Sequence, residues 1–312
     1  MNNAEERFQF PVDIKRVTAG PGGEVFLVIG RKMTAVVDCG MAFCGERLVE
    51  NTKKALGGRK LDYILLTHSH YDHMGGLPYL KKEWPEAVSV GAQHAQNVLN
   101  KQSARNVIRE LSLAAGEMYR HSQQLSAYGL ESEDIAVTYD DRDVSVDRVV
   151  VEGDQIELGG MTFQVLETPG HTDCSISYYL LEKGILFLSE TMGCLTPDGD
   201  IMLAMLKGYG QTVRSIEKGR QLMPDCIIAP HYGKVSDSLI KNYWNSVKEK
   251  ADEYRTFILD RYQSGLSEDT IYEEYKSEYW HNITKNQQPL EAFEINGRLI
   301  IKAMIRDQSE YL

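Results

Sequence analysis

The chain reads as an α/β protein that ends in helices. Three observations predict this. Short apolar runs bounded by glycine, proline and polar residues alternate with helical periodicity as far as residue 235. Beyond it, helical periodicity continues with no strand signal. Within the first part, three histidines and an aspartate crowd into residues 68–73, where an apolar run gives way to a loop and then a helix.

At 312 residues the chain can bury the core of one large α/β domain, or of a domain plus an appendage. A formal net charge of -11 argues against a broad nucleic-acid footprint, which needs a basic stripe. No apolar stretch approaches the roughly 18 residues of a membrane span, and residues 1–7 lack the pattern of a secretory leader. Five cysteines (Cys39, Cys44, Cys174, Cys194 and Cys226) are scattered without a Cys-x-x-Cys pair, so a reducing cytoplasm is expected.

Taken in order, residues 8–11 and 14–18 read as strands and Gly20, Pro21, Gly22 and Gly23 as a plain turn. Residues 25–29 and 34–37 read as a hairpin, and residues 45–56 as an amphipathic helix stopped by Gly57 and Gly58. A strand begins at Asp62, a short helix covers residues 75–84, and another strand covers residues 88–91. Residues 93–128 carry one or two helices, more than a plain β/α connection needs, and insertions of this kind often cover sites. β character is expected across residues 129–167, then in a hairpin over 176–188. A helix follows at 210–222, then a strand at 226–229. Helices are expected at 236–263, 267–277 and 289–308, punctuated by Gly265 and by Asn286 to Pro289.

Imidazole and carboxylate are the usual donors to zinc and to non-haem iron or manganese. Histidines two apart on an extended loop point the same way, so His68 and His70 can bind one ion while Asp72 and His73 turn toward a second. No nucleophile elbow or Cys-His arrangement is present, and Ser69 and Ser189 read as small fillers. Asp38, at the end of a strand, is a candidate to orient a ligand histidine. Of the remaining histidines, His94 is the best placed to line a pocket, whereas His121 and His281 have no partner at ligand spacing. Cys174 reads as a small packed residue.

The run Thr67, His68, Ser69, His70, Tyr71, Asp72, His73 resembles the signature of the metallo-β-lactamase superfamily. Thr168, Pro169, Gly170, His171 resembles that family's third histidine motif. Ala229, Pro230, His231 resembles its last, with Tyr232 where a glycine is common. Leu188, Ser189, Glu190 falls where the family has Gly-Asp, and the departure to glutamate makes Glu190 the weakest point of the comparison. The resemblance covers residues 13–235 and implies a four-layer αββα sandwich. It implies a catalytic domain over 1–235, with the insertion at 93–128, and a C-terminal helical cover over 236–312.

It also implies two divalent metal ions, zinc or alternatively iron or manganese. His68, His70 and His171 would hold one ion, and Asp72, His73 and His231 the other, with Glu190 bridging. Asp72 would be the catalytic residue that manages a proton. The activity implied is metal-dependent hydrolysis, by a hydroxide between the ions, of a small ester, thioester or lactone. Segment order is similar to glyoxalase II and closer to the quinolone-signal response thioesterase. Three alternatives stay open: a phosphodiesterase of the same fold, a redox protein similar to the flavodiiron group, and an effector whose hydrolysis is not its main role. A homodimer also stays open.

Overall fold

A computed structural model describes residues 6–139, 144–281 and 287–308. Two mixed β-sheets pack face to face between layers of helix, the four-layer αββα arrangement. The first sheet runs β1 (Ile14–Arg16), β2 (Phe26–Ile29), β3 (Thr34–Val37), β4 (Tyr63–Leu65), β5 (Val88–Ala92) and β6 (Arg148–Val150) in spatial order. β1 to β3 pair antiparallel, and β3 to β6 pair parallel. β3 reads Thr-Ala-Val-Val with every residue buried, as a strand covered on both faces should.

The second sheet contains β7 (Gln155–Glu157), β8 (Thr162–Glu167), β9 (Ile176–Leu180) and β10 (Ile185–Phe187). A small hairpin of β11 (Cys194–Leu195) and β12 (Ile201–Met202) precedes its last strand, β13 (Cys226–Ile228), which pairs parallel with β10. Successive side chains of a strand point to opposite faces. Ile185 and Phe187 of β10 accordingly face the inter-sheet core, where Phe187 meets Phe26 at 6.0 Å between ring centroids. Leu186 faces the other way, into a second core built with helices.

Helices α1 (Gly45–Leu56), α2 (Tyr71–Met74), α3 (Leu77–Glu83), α4 (Gln93–Leu99) and α5 (Gln102–Arg120) belong to the first half of the fold. α1 buries Leu48, Val49, Thr52 and Leu56, one stripe at helical spacing. Gly57, at φ 59°, ends it by returning its N–H to the Lys53 carbonyl. Outside the second sheet lie α6 (Tyr209–Gln221), α7 (Asp237–Ile240), α8 (Tyr243–Gln263), α9 (Glu268–Tyr279) and α10 (Leu290–Asp307). Tyr243, Val247, Ile258, Tyr272 and Ile300 of these helices share one core with Leu186, Leu188 and Ile227.

Three expectations need correction. Residues 8–11 form turn and coil, because Pro11 closes a turn by accepting the Ile14 N–H at 2.8 Å instead of entering a ladder. The helix expected over 236–263 is split into α7 and α8, with Asn242 returning its N–H to Leu239 in a turn between them. β structure begins only at Arg148: the described residues from 129 to 147 are turns, loop and a short 3-10 helix (Ser132–Asp134), tied down where Ala136 donates to the Phe43 carbonyl. Asn286 lies outside the described residues.

Candidate metal centre

Every candidate residue follows the C-terminal end of a strand. β4 leads to His68, β8 to His171, β10 to Glu190 and β13 to His231. α2 then turns Asp72 and His73 back toward the same point. Neighbouring strands and the face-to-face sheets thereby bring together side chains up to 163 positions apart, from His68 to His231.

Asp38 closes this arrangement. It ends β3 at φ 59°, a left-handed conformation uncommon for a residue with a Cβ. Its carboxylate accepts the Thr67 N–H at 2.8 Å and the Thr67 hydroxyl at 2.9 Å, locking the strand end that carries the histidines. It also accepts from His73 Nδ1 at 2.9 Å.

The ring contacts decide which nitrogens face the centre. His73 gives its Nδ1 proton to Asp38, His171 gives its own to the Ala204 carbonyl at 2.8 Å, and His231 gives its own to the Gly22 carbonyl at 3.1 Å. Each is left with an Nε2 lone pair turned inward. Thr67 spends its hydroxyl proton on Asp38, so its oxygen accepts from His68 Nδ1 at 3.0 Å. His68 Nε2 is then buried with no hydrogen-bond partner among the described residues. A buried, unpaired lone pair among other inward-facing lone pairs is what a cation site needs.

Two overlapping groups result. His68, His70, His171 and Glu190 present one donor atom each within 4.8 Å of one another, and so do Asp72, His73, Glu190 and His231. Glu190 belongs to both: one oxygen lies 2.6 Å from His171 Nε2, the other 2.6 Å from His231 Nε2. The residues present fit a pair of cations in number, in donor chemistry and in tautomer.

The electrostatics differ across the site. Burial, aided by the imidazoles of His73, His70 and His171, holds His68 well below the usual imidazole range. Burial, together with His171, holds His70 down to about 4. For His73 burial also opposes charge, but Asp72 and Asp38 outweigh it and hold the ring well above that range. For His231 burial is likewise outweighed, here by Glu190, and the ring is raised. Burial resists ionisation of Glu190, yet His171, His231 and His73 hold its carboxyl well below the usual carboxylate range.

The centre forms the floor of a cavity of about 510 Å³. His70, Asp72, His171, Glu190 and His231 reach it, with Gly22, Tyr232, Cys174 and His94 around them. His94 stands 3.9 Å from Asp173, which pairs with Lys207 at 2.5 Å. Cys174 is buried and packs near the hydroxyls of Thr172 and Ser69, as a small packed residue should. His121 and His281 lie exposed at the surface, away from the centre. Tyr232 adopts φ 59°, the conformation a glycine would take freely.

Two contributors escaped the reading of the sequence. The Gly20 to Gly23 stretch is more than a turn, because Gly22 orients His231 and Gly23 packs against the metal loop. A Cβ on Gly23 would sit 2.1 Å from the Asp72 carbonyl oxygen. Ala204 contributes only a carbonyl, which no residue-type pattern reveals.

Residues 20–231 match the family model of the metallo-beta-lactamase superfamily. The chain belongs to this superfamily. A metallo-beta-lactamase fold-containing protein of Sulfurisphaera tokodaii is 25% identical over 73% of this chain and 79% of its own length. A hydroxyacylglutathione hydrolase of Legionella pneumophila is 29% identical over 42% of this chain, and the match spans only 35% of that protein. The fold is shared with the stereoselective inverting sec-alkylsulfatase of Pseudomonas sp. at TM-score 0.66 and 13% identity, covering 94% of this chain and 49% of that one. Within this superfamily's fold, the described residues gather a His/Asp/Glu cluster that could hold metal. None of the helices described is long and apolar enough to cross a membrane.

Proposed function

We propose that the protein is a hydrolase that uses two divalent ions, zinc or alternatively iron or manganese, to cleave a small acyl substrate: an ester, thioester or lactone. The observation that carries the reading is Glu190, which offers one oxygen to each of two donor groups at the floor of a cavity. His68, His70 and His171 would hold one ion, Asp72, His73 and His231 the other, with Glu190 between them. When bound, such ions polarise a substrate oxygen and bring the pKa of water toward neutrality.

The chain's own residues supply the rest. Asp38, Gly22, Ala204 and Thr67 hold the imidazoles in the tautomers that face inward. Asp72, whose side chain is 16% exposed, reaches the cavity, and to it we assign the role of taking a proton from the attacking water and passing it on. We assign residues 1–235 to the catalytic domain and residues 236–312 to a helical cover. All five cysteines are free, which agrees with a cytoplasmic setting.

An acyl substrate is favoured over a phosphodiester because Lys207 is the only lysine or arginine among the described cavity residues, and Asp173 already pairs with it at 2.5 Å. The test is metal analysis of the native protein with a panel of thioesters, lactones, phosphodiesters and sulfate esters. We expect about two ions per chain and turnover confined to the acyl compounds. A protein that binds no metal, or whose hydrolysis survives His68→Ala and His70→Ala, refutes the reading. Ligand variants that lose hydrolysis yet keep the biological phenotype would point to an effector role.

A further inference from the structure

We propose that the substrate carries an unbranched apolar tail lying between α5 and α10, and that Gln287 holds a neutral hydrogen-bonding group part-way along it. This deepens the acyl-hydrolase reading of the same site and rests on it.

The cavity of about 510 Å³ falls within the roughly 300–1,000 Å³ of small-molecule sites. Its floor is the polar centre, but its walls are apolar. Val107 and Leu111 on α5 are one turn apart and line it from one side. Ile295 and Leu299 on α10, also one turn apart, line it from another. Three of these are strongly exposed for large apolar side chains: Val107 47%, Ile295 47% and Leu299 43%. Single exposed apolar residues are ordinary, but a set gathered on one cavity wall, continuous with a reactive floor, marks where an apolar ligand is taken out of water.

Among the polar residues that interrupt these walls, Gln287 is set apart by its unpaired side chain. Its backbone carbonyl is held by the Tyr119 hydroxyl at 2.7 Å, which places the residue on the cavity. Both polar atoms of its side chain are shielded from water, and neither has a hydrogen-bond partner among the described residues. A shielded carboxamide with both donor and acceptor unspent is costly unless something else completes it. A rotation of the side chain brings the carboxamide to the cavity that the residue lines, where the missing partner can come from the ligand. A ketone, hydroxyl or amide would serve. Lys207, the one lysine or arginine among the described cavity residues, is already paired with Asp173, which favours a neutral group over an anionic one.

The test uses the metal-loaded protein and straight-chain acyl thioesters of N-acetylcysteamine, a neutral carrier, from butyryl to decanoyl. Burial of each methylene should raise kcat/KM by about two- to fourfold, through KM, with kcat nearly constant. Ile295→Asp and Leu299→Asp, both at exposed positions, should flatten that slope. Decanoyl thioesters bearing one ketone at successive positions should show one position favoured over the plain chain by up to about tenfold. Gln287→Leu should abolish or reverse that preference.

A second readout needs no turnover: binding of N-decyl dansylamide to the metal-loaded protein, followed by fluorescence. Thioesters hydrolysed without dependence on chain length overturn the tail chamber and leave the acyl-hydrolase reading standing. Absence of turnover, with N-decyl dansylamide bound and weakened by Ile295→Asp, sinks the acyl-hydrolase reading and keeps the chamber. A ketone preference unchanged in Gln287→Leu removes Gln287 from the proposal.

Discussion

The two donor groups that share Glu190 are built differently. The group of His68, His70 and His171 draws on neutral partners, the Thr67 hydroxyl and the Ala204 carbonyl, and the side chains of His68 and His171 are 0% and 1% exposed. The group of Asp72, His73 and His231 carries a carboxylate of its own and leans on a second, Asp38. Its Asp72 and His231 side chains are 16% and 13% exposed. One position thus relies on imidazoles with neutral partners and the other on negative charge close to the cavity. On the proposed reading the first group would anchor an ion and the second would tune the chemistry, and each part of that contrast can be broken separately.

The largest effect is expected where the contrast disappears. Glu190→Ala removes the residue common to both groups, so bound metal should fall from about two ions per chain to below one. Hydrolysis should drop on the order of 10³-fold or more. Metal analysis beside a kinetic assay checks this, and two tightly held ions in the variant would refute a bridging role. Asp72→Asn touches one side only. It should lower kcat by roughly 10²- to 10³-fold while the ion at His68, His70 and His171 stays bound.

Asp38→Asn acts one step further out. It should weaken the second position by about 10- to 100-fold and spare the first, as read by competition with a chelator. Two chelator-resistant ions in this variant would deny Asp38 its orienting part. Acid should separate the positions in the same order. A proton on a ring nitrogen excludes a cation, and His73 and His231 hold protons more readily than the usual imidazole, whereas His70 stays neutral down to about 4. Metal should therefore leave the second position first as pH falls; loss of both ions in a single step would contradict the asymmetry. The smallest effect is expected of Thr67→Val, which removes only the hydroxyl between Asp38 and His68. Its cost should be about one hydrogen bond, roughly 0.5–1.5 kcal/mol, in metal affinity.

Much of the centre was legible because it is written in side chains of unusual type at close spacing. Three of its histidines and its aspartate lie within residues 68–73, and the strand ends that carry His171, Glu190 and His231 follow in the order the superfamily resemblance implies. The parts that were illegible act through backbone or through distance. Gly22 reaches His231 across 209 positions with a carbonyl, a group every residue owns. Gln287 looks like any polar residue ahead of a helix until α10 is seen beside α5 over the cavity. The split between α7 and α8 and the loop ahead of β6 were missed because local periodicity does not register where tertiary packing ends an element.

By itself, then, the sequence determined the α/β class and the strand ends, and named the side chains that the fold gathers into one cluster, because hydrophobic period and residue chemistry are local properties. Only the tertiary structure decided that Glu190 turns one oxygen to each group, that Asp38 holds His73, and that an apolar wall stands over the cluster. Those facts depend on which strand ends the two sheets bring face to face, and on which helices close above them.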